Sequence, residues 1–269
     1  MSIRVSPSLQ SGYDEQYTDA LSAWRELGGK YKAQNIIALA RGLEAKKVLD
    51  CGAGEGSVLH WLDQAGCFEE LHAVEISQSG IQYIERRRLG SVRTVQKFDG
   101  YHIPHENGAF DVAIASHVIE HVEHPRLLLR ELARVSKYQI MEVPLDYRVG
   151  IDREVQGQLR IGHINIFTPA LFRFLVRSEG FEILDERLTK LTRDVLRYNW
   201  YQNERRRFDL VAEVKLLYSP LSSWIKKLFK GRKAYEERAF DALTVLTRVA
   251  GELKIFGPAD SSKSVSNEG

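Results

Sequence analysis

The chain has 269 residues and a mass of 30.8 kDa, which suits one α/β domain with an added segment, because single hydrophobic cores stop growing near about 250 to 300 residues. No run of about 18 apolar residues offers a membrane span. The two cysteines are too few for a disulfide framework, and the first residues lack the apolar core of a signal peptide, so we expect a cytoplasmic protein. The net charge of +2 excludes no class of partner, because it averages over regions of opposite sign.

The first predicted elements are helices. Apolar side chains recur at helical spacing between Ser11 and Leu43, in two groups that flank Gly28 and Gly29. Because glycine weakens a helix, we predict N-terminal helices within residues 1–45 with a break at this glycine pair.

A short apolar run then ends in Asp50 and is followed by three glycines at alternate positions, Gly52, Gly54 and Gly56. The pattern predicts a buried strand that leads into a nucleotide-binding turn, because glycines let the backbone bend sharply and approach a ligand closely. A dinucleotide fingerprint, G-x-G-x-x-G, would need glycine where this chain has Ser57. The loop alone therefore does not identify the ligand.

From there the pattern alternates strand, turn and helix, which is the βαβ signature of a parallel sheet. The helix predicted over residues 125–135 places its apolar side chains on one face and tolerates Pro125 in its first turn. The six predicted strands cover residues 47–50, 71–75, 92–98, 110–115, 138–143 and 181–188.

Three of these strands end in residues with polar side chains or in glycine. Glu75 closes the second strand, 25 residues after the first acid, and one carboxylate accepts two hydroxyl protons at once. Asp99 and Gly100 follow the third strand, and Ser116 and His117 follow the fourth. In an open α/β sheet these strand ends border the same ligand crevice.

In their order and spacing these motifs resemble those of the class I S-adenosylmethionine-dependent methyltransferases. Residues 162–169, the helix after them and Glu179–Ile183 are similar to small-molecule members of that family. The resemblance covers residues 48–188. It implies a Rossmann-like sheet of seven mostly parallel strands flanked by helices, with the last strand antiparallel. The alternative is a doubly wound sheet that binds an unrelated nucleotide.

The resemblance also implies S-adenosylmethionine as cofactor, with S-adenosylhomocysteine as product. It implies that Glu75 holds the ribose hydroxyls, that Asp99 recognises the adenine edge, and that the loop at Ser116 lies beneath the methionine part. The implied cofactor contacts are Asp50, Gly52, Ala53, Gly54, Gly56, Glu75, Ile76, Asp99, Gly100, Ser116 and His117.

The seventh strand must come late in the chain. Residues 240–249 are rich in β-branched side chains and are preferred over 211–217, which fit a strand or a helix. This choice makes residues 190–236 a helical insertion, packed over the mouth of the active site. We expect a single domain over residues 1–256 and a disordered, serine-rich tail at 257–269.

A methyl transfer mainly requires positioning and exclusion of water, but a hydroxyl acceptor also needs a base. The histidine candidates are His117, His121, His124 and His163, because a neutral imidazole titrates close to working pH. His121 fits a packing role or a catalytic one, and Glu142 fits a backbone hydrogen bond or a contact with the acceptor. We take His121, His163 and Glu142 as the candidate catalytic residues.

His117 and His121 also belong to an H-x-x-E-H pattern, which is typical of inverted zinc metallopeptidases. The pattern directly follows a predicted central strand, in a chain whose motifs already account for a nucleotide cofactor. We therefore interpret it as accidental and expect neither a metal site nor stoichiometric zinc.

The insertion carries twelve basic and five acidic residues between Lys190 and Glu236, a balance of +7. Such a charge favours an anionic acceptor, for instance a phosphate-bearing sugar or lipid precursor, or nucleic acid. Within it, residues 219–230 predict a helix with one apolar side. That side suits a membrane surface, the protein's own surface or a homodimer, and the last two are favoured.

Together these features predict a methyltransferase that acts on a small molecule, by O-methylation of a hydroxyl or carboxyl, with N-methylation left open. Methylation of RNA or protein through the insertion is the first alternative, although the sequence has no recognised RNA-binding module. The second is a non-catalytic cofactor-binding scaffold, against which the acids Asp50, Glu75 and Asp99 argue.

Overall fold

A computed structural model of the chain describes residues 4–214, 236–237 and 239–251. Its strands are β1 (Lys47–Cys51), β2 (Glu70–Glu75), β3 (Val92–Lys97), β4 (Phe110–Ser116), β5 (Ser136–Pro144), β6 (Phe181–Thr189) and β7 (Ala242–Val249). Its helices are α1 (Pro7–Gln16), α2 (Ser22–Ala40), α3 (Ser57–Ala65), α4 (Gln78–Arg87), α5 (Pro125–Val135), α6 (Val155–Arg160), α7 (Pro169–Arg177) and α8 (Arg193–Tyr198).

The strands form one sheet in the order β3-β2-β1-β4-β5-β7-β6. Neighbours from β3 to β5 pair in parallel, whereas β7 lies antiparallel between β5 and β6. The predicted seven-stranded, mostly parallel sheet is confirmed, and so is the choice of the later segment for its last strand.

Helices cover both faces of the sheet. On one face α2, α3 and α4 bury Ile36, Leu59 and Ile84 against the strands, and on the other α5 and α7 bury Leu128 and Phe172. Successive side chains of a strand point to opposite faces, so the central strands contribute side chains to the hydrophobic cores on both faces of the sheet. Burial of one such side chain stabilises the fold by about 1.5–3 kcal/mol.

The predicted helix break at Gly28 and Gly29 is wrong. Both residues lie inside α2, and the chain instead breaks near Asp19, where a 3-10 turn separates α1 from α2. A Cβ built on Gly29 would lie 2.7 Å from the Cβ of Ser57, which begins α3. Gly29 therefore serves the close packing of two helices, and it does not end one.

The order of the strands places a crevice at one edge of the sheet. After β1 the chain proceeds outward through β2 and β3, whereas β4 starts the other half on the opposite side of β1. Ligands of open α/β sheets bind at this reversal, beyond the carboxyl ends of the strands. The glycine loop after β1 and the turn after β4 both lie there.

The insertion before β7 is not helical throughout. Its helix α8 packs on α2, where the Tyr31 hydroxyl hydrogen-bonds to Asp194 and Val195 is buried. A π-helical turn follows at Asn199–Asn203, and residues 204–209 are irregular. The predicted helix at 219–230 and the tail at 257–269 lie outside the described residues. No helix in the described part of the chain has the length and hydropathy that a membrane crossing requires.

Candidate active site

The glycine loop after β1 has the backbone that the sequence predicts. Gly52, Gly54 and Gly56 all have positive φ, at 76°, 58° and 80°, a region that side chains disfavour. A Cβ on Gly52 would lie 2.7 Å from Val118, and one on Gly54 would lie 2.9 Å from the Tyr17 hydroxyl. The absence of side chains lets the loop pass close to both the β4 turn and the N-terminal segment.

A buried carboxylate inside the loop fixes the position of the loop, a role that no sequence pattern indicates. Glu55 is 2% exposed and accepts hydrogen bonds from Arg25 at 3.0 Å and from the Ser57 hydroxyl at 2.9 Å. Arg87 of α4 donates to the backbone oxygen of Glu55 at 2.8 Å. These contacts join the loop to α2 and α4.

Asp50, at the end of β1, is buried and incompletely paired. Its Oδ2 atom has no hydrogen-bond donor among the described residues. Burial and the nearby Glu75 carboxylate raise the pKa of Asp50 to about 7, against the opposing charge of Lys32. A buried acceptor of this kind suits a cationic group of a ligand.

Glu75, at the end of β2, faces the same loop. It accepts from the backbone N–H of Gly54 at 2.8 Å and from that of Ser77 at 3.0 Å. Burial raises the pKa of Glu75, and these N–H groups oppose the rise by stabilising the anion. Each carboxylate oxygen has a second lone pair, so two hydroxyl groups can still donate to it.

The turn after β3 is stabilised by hydrogen bonds to Asp99 and is covered by the N-terminal segment. Asp99 accepts from the backbone N–H of Tyr101 at 2.9 Å and of His102 at 2.7 Å through one carboxylate oxygen. Its carbonyl accepts from Val5 at 3.0 Å, and Val5 packs so closely on Gly100 that a Cβ there would lie 2.4 Å away. The N-terminal segment therefore lies directly over this predicted contact.

Helix α1 continues this cover towards the glycine loop. Asp14 accepts from the backbone N–H of Gln78 at the start of α4, at 2.7 Å. Tyr17 stacks under the Arg25 guanidinium, 5.1 Å from the ring centre. Burial and the carboxylates of Glu120 and Glu75 raise the pKa of Tyr13, so its hydroxyl stays protonated beside the site.

His117, directly after β4, is the most constrained residue of the site. Its φ of 56° is positive, which is uncommon for a residue with a side chain and is often found at functional positions. Its Nδ1 lies 3.3 Å from Glu120 and its Nε2 lies 3.3 Å from Glu142. Burial and Lys32 disfavour the charged ring, but the two carboxylates outweigh them and raise the pKa of His117.

Glu142, on β5, has its oxygens occupied by protein donors. It accepts from Asn35 at 2.9 Å, from Thr244 at 2.5 Å and from Ser116 at 3.4 Å. Burial alone would raise its pKa, but contacts with His117 and the charge of Lys32 lower it to about 2. Glu142 is therefore a fixed anion, directed at His117.

His121 and His163 face each other, with ring centres 4.9 Å apart. The Nδ1 of His121 lies 2.8 Å from the carbonyl of Gly162, and the Nδ1 of His163 lies 2.6 Å from a carboxylate oxygen of Asp146. Since these oxygens only accept, each Nδ1 carries a proton and directs the Nε2 of its ring away from that partner. Burial also lowers the pKa of His121, which favours its neutral form.

Asn165 brings these two histidines together. Its side chain donates to the carbonyl of Val122 at 2.7 Å, and its backbone N–H donates to that of Glu120 at 2.9 Å. The loop that carries His163 is thereby fixed to the turn after β4. His124, the remaining histidine candidate, lies apart at the start of α5 against Tyr101.

The chain also matches a family model described as a methyltransferase domain, over residues 22–186. This match covers more than half of the chain. The chain belongs to this methyltransferase family. The comparison with curated proteins found no match.

Solved structures share the fold of this methyltransferase at low sequence identity. Geranyl diphosphate C-methyltransferase from Streptomyces coelicolor A3(2) is 13% identical, with 92% of this chain and 100% of that chain covered and a TM-score of 0.59. Magnesium protoporphyrin IX methyltransferase from Synechocystis PCC 6803 is also 13% identical, with 89% and 91% covered and a TM-score of 0.52. The 4+2 cyclase SpnF is 19% identical, with 81% and 80% covered and a TM-score of 0.55.

The cofactor of this methyltransferase is S-adenosylmethionine, and the observed geometry of the site fits that molecule. The unpartnered oxygen of Asp50 suits a cationic amino group, and Glu75 retains lone pairs for two ribose hydroxyls.

Several site residues emerge only in the structure. Lys32 lies on α2 among the charges of Glu142, Glu120 and Asp50, and burial lowers its pKa despite these anions. Asn35, one turn further along α2, donates to Glu142. The available sequence signal was weak: both polar residues flank the apolar stripe of a helix that covers the sheet.

Proposed function

We propose that this methyltransferase transfers a methyl group to a hydroxyl or carboxyl oxygen of a small-molecule acceptor. The observation that carries the proposal is the pair of imidazoles, His121 and His163, whose rings lie 4.9 Å apart beside the turn after β4 and whose Nδ1 atoms are both held by oxygen acceptors. S-adenosylmethionine supplies an electrophilic methyl group when bound. A neutral imidazole beside this turn accepts the proton that a hydroxyl must lose.

The proposed cofactor contacts are those that the sequence predicts. Their support is the crevice at the strand reversal, the positive φ of the glycines and the unsatisfied Asp50. The contacts are Asp50, Gly52, Ala53, Gly54, Gly56, Glu75, Ile76, Asp99, Gly100, Ser116 and His117.

Glu142 was a candidate for contact with the acceptor, but its surroundings favour another role. Because three side-chain donors and His117 surround its carboxylate, no free lone pair faces an acceptor. We infer that Glu142 positions His117, and that proton transfer falls to His121 or His163.

An anionic acceptor is the second part of the proposal. Arg205, Arg206 and Arg207 are exposed in the insertion, although Arg206 also pairs with Glu204. The start of the insertion is anchored on α2 through Tyr31 and Asp194, and α2 also carries the buried Lys32. Positive charge near the crevice would attract a phosphate or carboxylate on the acceptor.

The test supplies the protein with S-adenosylmethionine carrying a ¹³C-methyl group and with fractions of a small-molecule extract. We expect a product whose labelled carbon has the chemical shift of a methyl bonded to oxygen. Replacing His121→Asn should lower kcat at neutral pH for a hydroxyl acceptor by about 10²–10⁴-fold, whereas His60→Asn should not.

Label on nitrogen or carbon would refute the oxygen assignment, and label in RNA or protein would refute the small-molecule acceptor. Cofactor binding without any transfer would instead favour a scaffold or another reaction, since fold does not fix chemistry.

A further inference from the structure

The carboxylate of Glu120 is buried and only partly compensated by the protein. Its side chain is 0% exposed, and neither of its oxygens has an aligned hydrogen-bond donor among the described residues. The Nδ1 of His117 lies 3.3 Å away, but this ring is shared with Glu142 and compensates only part of the charge. The Nε2 of His121, whose ring is neutral, lies 3.6 Å away. A buried charge is costly unless something compensates it.

Two imidazoles converge on the same carboxylate. Ligand atoms of Glu120, His121 and His163 all lie within 4.8 Å of one another. The Nδ1–H groups of the two histidines are held by the Gly162 carbonyl and the Asp146 carboxylate. Metal-binding histidines are held in this way, because the second hydrogen bond fixes the tautomer and leaves the other nitrogen to the metal.

We propose that Glu120, His121 and His163 bind a divalent first-row transition-metal ion, of which Zn²⁺ and Mn²⁺ are the probes. Two imidazole nitrogens and one carboxylate oxygen suit these ions and leave open positions for other ligands. The cation would compensate the buried charge of Glu120.

This site differs from the one that the H-x-x-E-H pattern describes, and it replaces our expectation of no metal. His117 is not a ligand, because both of its nitrogens face carboxylates. Its place is taken by His163, which the loop after β5 brings back to the turn. The pattern therefore gives two of the three proposed ligands, and the third is distant in sequence.

The role of the ion rests on the proposed function, whereas its binding does not. If an acceptor hydroxyl occupied an open position, the ion would lower the pKa of that hydroxyl and stabilise the alkoxide. The two histidines would then contribute to deprotonation through the ion.

The experiment measures metal binding directly. Full-length protein is treated with a chelator, dialysed and titrated with Zn²⁺ or Mn²⁺ in a calorimeter, and bound metal is counted by mass spectrometry. We expect about one ion per chain for at least one of the two, with a rise in melting temperature, because a ligand of the native state stabilises it.

Variants assign the site. Glu120→Gln and His163→Ala should each lose stoichiometric binding, and Asp146→Asn should weaken binding by about 10- to 100-fold, as for other partners of metal-bound histidines. His60→Ala is the matched control, because His60 pairs with Glu26 at 3.5 Å outside the cluster. Retained binding of S-adenosylhomocysteine shows that a variant is folded.

Failure of both ions to bind the wild-type protein would overturn the proposal, and so would binding by folded Glu120→Gln or His163→Ala that equals binding by the wild type. Methyl transfer to oxygen that persists in metal-free protein would remove the catalytic role but leave the proposed function. Metal binding in a protein that methylates nitrogen or carbon would support the metal site but refute the proposed function.

Discussion

Gly29 in α2 lies directly against Ser57 at the start of α3. A Cβ on Gly29 would be 2.7 Å from the Cβ of Ser57 and 2.8 Å from its carbonyl carbon. Real Cβ atoms do not approach backbone atoms so closely, so any side chain at this position would push the two helices apart. The contact lies next to the glycine loop, which ends at Gly56.

This contact provides a test with an internal control. Gly29→Ala should destabilise the protein by about 1–3 kcal/mol, the usual cost of overpacking. Gly28→Ala should instead stabilise it by about 0.5–1 kcal/mol, because nothing lies within 4 Å of its Cβ and alanine favours a helix. Urea denaturation measures both, and equal effects of the two changes would contradict the packing of α2 on α3.

The raised pKa of Asp50 predicts how stability varies with pH. Its folded pKa is about 7 and its ordinary value is 3.8, so between these values the folded state holds a proton that the unfolded state has released. Stability without cofactor should therefore fall as pH rises from about 4 to 7, by up to about 4 kcal/mol from this group. Asp50→Asn should remove that slope, and the exposed control Asp185→Asn should not.

Urea denaturation at three pH values across this range, compared between wild type and Asp50→Asn, measures the effect. Parallel curves for the two proteins would mean that Asp50 is already ionised in the folded state at pH 4.

Glu75 gives a prediction for the cofactor. Glu75→Ala should weaken the binding of S-adenosylmethionine by at least about 1.5 kcal/mol, the lower end for hydrogen bonds to a charged group. It should also lower stability, because the N–H groups of Gly54 and Ser77 lose their acceptor. Glu69→Ala, which removes an exposed carboxylate paired with Lys46, is the control. Unchanged affinity in folded Glu75→Ala would exclude Glu75 from the ribose site.

The insertion gives a prediction for the acceptor. Replacing Arg205, Arg206 and Arg207 by glutamine should leave S-adenosylmethionine affinity nearly unchanged and raise KM for an anionic acceptor, with an effect that falls as salt rises. A double glutamine variant of Arg41 and Arg93, two exposed arginines elsewhere, controls for net charge. Loss of cofactor affinity in the folded triple variant would make the insertion a cofactor lid.

The fold was largely predictable because its signals are local. Apolar runs and the acids after them mark each strand, and α5 begins and ends where its apolar face predicts. The break assigned to Gly28 and Gly29 failed for a physical reason. Helix propensity is a property of one segment, whereas the space that Gly29 provides is needed by another helix.

The site was predictable only where ligand contacts follow single strands. Glu75 and Asp99 lie at strand ends, so the sequence marks them. Lys32, Glu120 and Asp146 come from three separate segments and act together only after the sheet has formed. The surroundings of each of these groups depend on neighbours that are distant in sequence.

The N-terminal cover has a kinetic consequence. The Tyr17 hydroxyl lies against Gly54 and Val5 lies against Gly100, so the N-terminal segment packs on two of the proposed cofactor contacts. We therefore expect this segment to move when S-adenosylhomocysteine leaves. We expect product dissociation to be the rate-limiting step. Truncating the Val5 side chain would then raise steady-state turnover while lowering the affinity for both S-adenosylmethionine and S-adenosylhomocysteine.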